Sequence, residues 1–346
     1  MGPTMHDVAR VAGVSIKTVS NVINDYPHVR PETRSRVVAA IEQLDYRPNL
    51  SARGLRSGRT GVIGLAVPSL RENYFAELAD SVIRAAAQRG LGVMVEQTFG
   101  QREAELEAVA NSRPRFLDGL LFSPVSLGQE DAEALSLDGP LVLLGERIFG
   151  GPTDHVTMHN TSSSQAAVEH LLEIGRRRIA LIGADLHGGD EASSANLRLK
   201  GYLRALEQAG IDVDPSLVRP TEMLRWNRAG GAAATHRLVQ DRVDFDAIFA
   251  LTDTLGLGVL RALREEGLSV PDDVAVIGFD NIDESKYSVP SMSTVDPGRD
   301  EIAEIAVDRL IERIHEKGER RPPETFKPTF RIVPRESTGF ESTDGE

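Results

Sequence analysis

The chain has 346 residues, a formal net charge of −13, 40% hydrophobic residues and no cysteine. That length accommodates two or three domains with cores of their own, and the absence of cysteine excludes a disulfide framework, a thiolate metal centre and a cysteine nucleophile. The start, MGPTMHDVAR, has no apolar run behind a basic segment, and no stretch reaches the length of a membrane span, so a soluble cytoplasmic protein is expected.

Charge is unevenly placed. Residues 1–60 carry nine Lys/Arg against five Asp/Glu, whereas the remainder carries 30 against 47. A basic head on an acidic body suits a head that meets a polyanion. Within the head, Thr4 and Asp7 fit a capping box that opens a helix to about Ala12, with Val8, Val11 and Ala12 inward. Gly13 follows, where a left-handed turn is cheap for glycine. Ser15 can cap a second helix to about Asn24, burying Val19, Val22 and Ile23. Pro31 suits the first turn of a third, which runs through Val37, Val38, Ile41 and Leu44.

Two short helices joined by a tight glycine turn and braced by a third make a helix-turn-helix. With Val19, Val22 and Ile23 inward, Ile16, Lys17, Ser20 and Asn21 face outward, as on a recognition helix. Lys17 can donate to guanine, Asn21 can pair with adenine and Ile16 can touch a thymine methyl. Ser15 and Thr18 suit phosphate oxygens. Thr4, Asn24 and His28 complete the expected DNA-facing set of the head.

TMHDVARVAGVSIKTVSNVIN, followed by VRPETRSRVVAAIEQLDYRPNLSARGL, resembles the lactose-repressor (LacI) family of transcription factors. The resemblance lies in the DVA…AGVS…TVS.V.N core and the Y.PN..AR.L end. It implies that the segment after the head is a hinge helix, formed on DNA, that places Leu55 in the minor groove. Asn49, Ala52, Arg53 and Arg56 belong to the same expected DNA contact. The physics agrees: a helix under about 12 residues is marginal in water, an interior glycine such as Gly54 weakens it further, and an apolar wedge at a base step kinks DNA.

From Gly61 the pattern changes. Buried runs such as GVIGLAVP, LGVMVEQ, DGLLFSP, PLVLLGE, RIALIGA, DAIFALT and DVAVIGFD alternate with amphipathic stretches such as YFAELADSVIRAAAQRG and LRLKGYLRALEQAG. That alternation predicts parallel sheets covered on both faces, with too many strands for one sheet. The fold class is therefore an all-α helix-turn-helix head plus an α/β body of two doubly wound lobes, and the resemblance, which extends to RESTG at 335–339, implies a periplasmic-binding-protein-like body. The expected domains are a head at 1–46, hinge helix and linker at 47–60, a sensing and dimerisation body at 61–338, and a tail at 339–346. The N-lobe is drawn at about 61–160 and 293–324, the C-lobe at about 161–292 and 325–338.

Ligands in such folds bind beyond the strand carboxyl ends, here between the lobes. Tyr74 and Phe75 follow the first strand and can stack on a sugar face, although Phe75 equally suits a contact into the core. Arg198 matches the arginine of the family's R..GY, and its fork suits vicinal hydroxyls or a carboxylate. Trp226, the only tryptophan, is a ring platform or core filler. Asp280 in VIGFD matches the family's aspartate. Asp253 reads foremost as a helix cap, its neighbour Thr252 departs from the amide of several relatives, and Glu146 stands one residue after the aspartate of many.

No G-x-x-x-x-G-K-[ST] loop, G-x-S-x-G elbow or H-E-x-x-H occurs. His155 and His159 sit in DHVTMHN, which reads as strand into loop, so neither a metal site nor a cofactor nor enzyme chemistry is expected. The tail lacks leucine heptads, which favours a homodimer over a tetramer. The reading is a regulator, foremost a repressor, that binds a pseudo-palindromic double-stranded DNA operator under control of a small ligand, foremost a sugar. The alternatives are the same architecture answering to a nucleobase-like corepressor or a partner protein, and a solute-binding module without DNA function.

Overall fold

The computed structural model describes residues 3–23, 26–46, 59–111, 117–136, 139–188, 192–221, 226–318 and 320–341. The chain divides into two compact units, Met1–Gly61 and Val62–Glu346.

The first unit holds α1 (Met5–Ala12), α2 (Ile16–Ile23) and α3 (Pro31–Gln43). The capping box forms: the Thr4 N–H donates to Asp7 Oδ2 at 3.0 Å, and the Asp7 N–H donates to Thr4 Oγ1 at 3.4 Å. Gly13 takes φ 62°, the left-handed turn glycine adopts without strain. Ser15 Oγ accepts the Thr18 N–H at 3.1 Å and so caps α2. Val8, Ala9, Ala12, Val19, Val22, Val37 and Ala40 make the core. Two expected core residues lie outside it: Val11 and Val38 are 43% and 42% exposed, because eight- and thirteen-residue helices turn only one stripe inward. Tyr46 takes part instead. Asp45 adopts φ 44° after α3, and the Tyr46 N–H donates to the Ile41 carbonyl at 3.0 Å, which folds the ring onto the core.

The second unit carries two six-stranded sheets. In the N-lobe sheet, β1 (Val62–Val67) pairs in parallel with β2 (Gly92–Gln97) and β3 (Leu120–Phe122), followed outward by β4 (Leu141–Leu144), β5 (Asp154–Val156) and β11 (Thr325–Phe326). In the C-lobe sheet the order is β12 (Arg331–Val333), β10 (Ser293–Asp296), β9 (Ala275–Phe279), β8 (Ala247–Ala250), β6 (Ile179–Ile182) and β7 (Val218–Arg219), parallel except for β12 against β10. The central strands are apolar on both faces because helices cover both.

The expected lobe boundaries require correction at their second and third crossings. β10 pairs with β9 and so belongs to the C-lobe, whereas β11 pairs with β5 and belongs to the N-lobe. Residues 293–296 thus leave the expected N-lobe, and 325–326 leave the expected C-lobe. These strands lack the apolar run that marks the central ones: Ser293 and Thr294 are buried through hydrogen bonds to Thr338, Arg335 and Asp253.

Helices α4 (Asn73–Gln88), α5 (Arg102–Asn111) and α11 (Arg299–His315) belong to the N-lobe. Helices α6 (Asn160–Glu173), α7 (Ser194–Gln208), α8 (Arg228–Gln240), α9 (Asp253–Glu265) and the short α10 (Asp283–Tyr287) belong to the C-lobe. Two helix pairs approach until only glycine fits. A Cβ on Gly201 of α7 would strike the Thr161 carbonyl, and one on Gly258 of α9 the Arg228 carbonyl.

Candidate functional site

In the head, the side chains expected to face DNA follow α2. Ser15 and Lys17 are exposed; Thr18, Ser20 and Asn21 are half-buried. Ile16 is also half-buried and packs against the head's core, so it offers less surface than expected. The Ser15 and Thr18 hydroxyls lie 2.9 Å apart, and Thr4 Oγ1 donates to Asp7 Oδ2 at 2.7 Å. Exposed His28 meets Tyr26 edge-on, with centroids 5.5 Å apart. Asn24, Asn49, Ala52, Arg53, Leu55 and Arg56, and with them the expected hinge helix, lie outside the described residues.

In the body, a cleft of about 1370 Å³ opens between the carboxyl ends of the two sheets. Its walls come from the residues that leave β1, β3 and β4 on one side and β6, β7, β8 and β9 on the other, among them Ser69, Ser123, Glu146, Ala184, Thr221, Thr252 and Asp280. Parallel strands all deliver their carboxyl ends to one edge, which concentrates polar loops there.

At the floor, Arg198 of α7 is 4% exposed. Its Nε donates to Asn160 Oδ1 at 2.8 Å, Nη1 to the Leu251 carbonyl, and Nη2 to Met158 Sδ at 3.5 Å. Nη2 stands 3.7 Å from Asp280 Oδ1, and the guanidinium carbon lies 3.5 Å from the Phe279 ring centroid. Asn160 also donates from Nδ2 to Glu146 Oε2 at 3.2 Å. One arginine thereby joins the first lobe crossing, at Met158 and Asn160, to the C-lobe strand ends.

Asp280 adopts φ 113° and Asn281 φ 50°, a conformation that non-glycine residues avoid and that surrounding contacts must hold. Arg299 Nη1 donates to the Asp280 and Asn281 carbonyls at 3.2 and 3.4 Å, and Arg335 Nη2 donates to Asn281 Oδ1 at 2.8 Å. Burial lifts the Asp280 carboxyl well above its usual range, with Arg198 opposing. Burial also lifts Glu72, at the cleft wall, and the Tyr74 phenol.

Tyr74 and Phe75 both line the cleft and stack edge-on at 5.3 Å, while also packing against the core. Trp226 does the same from the opposite lobe, so platform and core filler are both descriptions of one ring. Glu146 and Thr252 line the cleft, and Thr252 Oγ1 accepts the Leu255 N–H at 3.2 Å, so Thr252 rather than Asp253 caps α9. Asp253 is not among the cleft-lining residues. It is fully buried below the floor, accepting from Thr294 Oγ1 at 2.6 Å, Ser285 Oγ at 2.7 Å and the Ile282 N–H at 3.0 Å. Burial pushes its carboxyl up to about 7. Glu105, unremarked in the sequence, shapes the N-lobe wall by accepting from the Val125, Ser126 and Leu127 amides at 2.8–3.1 Å.

The lobes also meet beside the cleft. Asn73 Nδ2 donates to Glu284 and the Asp283 N–H donates to Glu77 Oε1 at 3.0 Å across the lobes, while within each lobe Arg228 Nη2 lies 3.3 Å from Glu284 Oε1 and Arg299 Nη2 lies 2.7 Å from Glu77 Oε2. Among the described residues, no cluster of three metal-ligating side chains is present, and no helix is long and apolar enough to cross a membrane.

Residues 4–49 match the model of bacterial regulatory proteins of the lacI family, and 168–338 match that of the periplasmic binding protein-like domain. The ribose operon repressor of Escherichia coli K12 is 32% identical over 313 residues, covering 90% of this chain and 93% of the repressor. The chain belongs to the LacI family. A putative LacI-family regulator from Sanguibacter keddieii is 49% identical, with TM-score 0.75, over 82% of this chain and 100% of that one. The lac repressor dimer bound to operator and an anti-inducer is 29% identical, with TM-score 0.81, over 98% of this chain and 99% of that one. This LacI-family chain is accordingly a DNA-binding transcriptional regulator under ligand control, with a helix-turn-helix head and a periplasmic-binding-protein-like body.

Met158 lines the cleft of this LacI protein, and Asn160, Phe279 and Arg299 hold the cleft residues Arg198 and Asp280 from behind; none of the four was among the expected site residues. Asn160 alone left a trace: a polar residue at the first lobe crossing.

Proposed function

We propose that this chain is a cytoplasmic homodimeric repressor, not an enzyme, whose operator affinity is set by a sugar in the cleft between the lobes. Lys17 and Asn21 read base edges, Ser15 and Thr18 meet phosphates, and residues 49–56 form a helix on the operator with Leu55 as its wedge. The cleft carries the reading: two sheets converge their carboxyl ends on it, and aromatic rings there stand beside carboxylates and an arginine, the chemistry of sugar recognition. A ligand controls DNA binding only if it binds two body conformations unequally. Lobe movement would then shift the spacing of the two hinges in a dimer and thereby the DNA affinity.

Selection of operators from random DNA tests this. A pseudo-palindromic sequence is expected, with an affinity that changes when a sugar binds. An enriched sequence without two-fold symmetry, or operator affinity indifferent to every sugar yet responsive to a nucleobase, would contradict it.

A further inference from the structure

We infer that His155, which does not itself line the cleft, is a positioning residue for the ligand site: its ring holds the Gly145–Glu146 peptide, and through it the Glu146 carboxylate, in place at the N-lobe wall. The inference rests on the cleft reading above and names a residue on which that wall depends.

The chain leaves β4 through a turn that β5 holds at two points. Gly145 takes φ 92°, on the left-handed side that glycine tolerates. Its N–H donates to the Val156 carbonyl at 3.1 Å, a backbone bond open to any sequence. Its carbonyl accepts from the His155 ring, a bond that only a side-chain donor can make. A peptide unit is planar, so fixing that carbonyl also fixes the nitrogen of Glu146 and the direction in which the chain continues. Glu146 then lines the cleft, where its Oε2 accepts from Asn160 Nδ2 at 3.2 Å. Asn160 Oδ1 in turn accepts from Arg198 Nε at 2.8 Å. A ring nitrogen in β5 is thus connected, through the Gly145–Glu146 peptide, to the arginine at the cleft floor.

The ring is committed to this one bond. His155 is 3% exposed, on a strand between β4 and β11. A carbonyl oxygen only accepts, so Nε2 carries the proton. Burial holds the imidazole below its usual range, which keeps it neutral at pH 7. Nδ1 then bears a lone pair, and it has no hydrogen-bond partner. The Phe149 ring, on the loop that follows the turn, lies 5.3 Å from the imidazole and is tilted by 42° to it. A residue that only filled this space would not need a polar ring, whose burial is costly. Phenylalanine would fill it and leave the Gly145 carbonyl without its donor.

The unpaired Nδ1 shapes the test. Glutamine places its amide nitrogen where Nε2 stands, and no second bond is lost. Asparagine reaches only to the position of Nδ1, and phenylalanine offers no donor. Full-length His155→Gln, His155→Phe and His155→Asn are compared with wild type by hydrogen exchange over residues 145–151, by operator titration, and by calorimetry with D-ribose, D-glucose, cellobiose and hypoxanthine. His155→Gln should match wild type throughout. His155→Phe, or His155→Asn should the first not fold, should exchange at least about tenfold faster over 145–151 and bind the compound that wild type binds at least about tenfold more weakly, with unliganded operator affinity within about threefold of wild type. Because the effect passes through Glu146, His155→Phe should weaken binding no further on a Glu146→Ala background, whereas a purely structural role would make the two losses multiply.

The inference is overturned if His155→Phe and His155→Asn leave both exchange and ligand affinity unchanged, if His155→Gln fails as they do, or if the losses from His155→Phe and Glu146→Ala multiply. Binding of hypoxanthine alone would remove the sugar reading, and the double-mutant cycle run on hypoxanthine would still decide the role of His155. Should no compound bind wild type, the sugar reading falls and the exchange pattern of the variants decides for or against His155.

Discussion

The Arg198 guanidinium makes the first residue-scale prediction. Lysine would keep the charge but lose the planar fork that reaches Asn160 and the Leu251 carbonyl together. In the folded protein, Arg198→Lys should release Asn160 and Asp280 at the cleft and so weaken sugar binding at least about tenfold while leaving operator binding near wild type in the absence of ligand; the buried acceptors left unpaired cost body stability, roughly 1–3 kcal/mol each. Calorimetry and operator titration on the same preparation check both halves. On the head, Lys17→Ala and Asn21→Ala should each lose about 1–3 kcal/mol of specific operator affinity with little change on random DNA; equal losses on both DNAs would remove the base-reading assignment. Asp253 gives a pH prediction. Its carboxyl titrates near 3.9 when unfolded and at about 7 when folded, so the native state holds the proton more tightly. This group favours folding at low pH, and that contribution is lost as pH rises from about 4 to about 7 and is constant above. The difference in melting temperature between wild type and Asp253→Asn should drift across that window and flatten beyond it. At this scale the cleft positions of Tyr74, Glu146 and Asp280, which follow apolar strands, and of Arg198, which stands in the R..GY pattern of the resemblance, were legible in the sequence. It did not show the roles of Asn160 or Glu105, because a single polar residue near the start of a helix has no period of its own, and its role is defined only by partners tens of positions away.

At the scale of elements, the pairs α6–α7 and α8–α9 are held at glycine distance. Gly201→Ala should destabilise the body by about 1–3 kcal/mol through overpacking against the Thr161 carbonyl, read as a lowered urea midpoint; an unchanged midpoint would mean the helices slide apart freely. The polar contacts beside the cleft, centred on Glu284 with Asn73 and Arg228, are half-exposed and so are worth at most about 1 kcal/mol. Glu284→Ala should therefore shift sugar affinity by no more than about fivefold. The central strands were legible because parallel strands buried on both faces are continuous apolar runs. The short strands β7, β10, β11 and β12 were not. Two- to four-residue strands carry no periodicity, and β10 is buried through the Ser293 and Thr294 hydroxyls rather than through apolar side chains. That is why the lobe boundaries moved at 293–296 and 325–326 and nowhere near the first crossing, where His155 in strand and His159 in loop fall as the sequence indicated.

For the whole molecule, a basic head and an acidic body were visible in charge alone, and both parts fold into the classes that periodicity indicated. The claim that joins them is thermodynamic: ligand in the cleft and DNA on the head must each alter the other's affinity by the same factor. The most direct measurement is a fluorescence-anisotropy titration of a selected operator, with and without a saturating sugar identified by calorimetry, on wild type and on Arg198→Lys. Wild-type operator affinity should change about 5–150-fold with the sugar, and the variant should show little change at the same sugar concentration. Identical operator affinity with and without the bound sugar in the wild type would contradict the account.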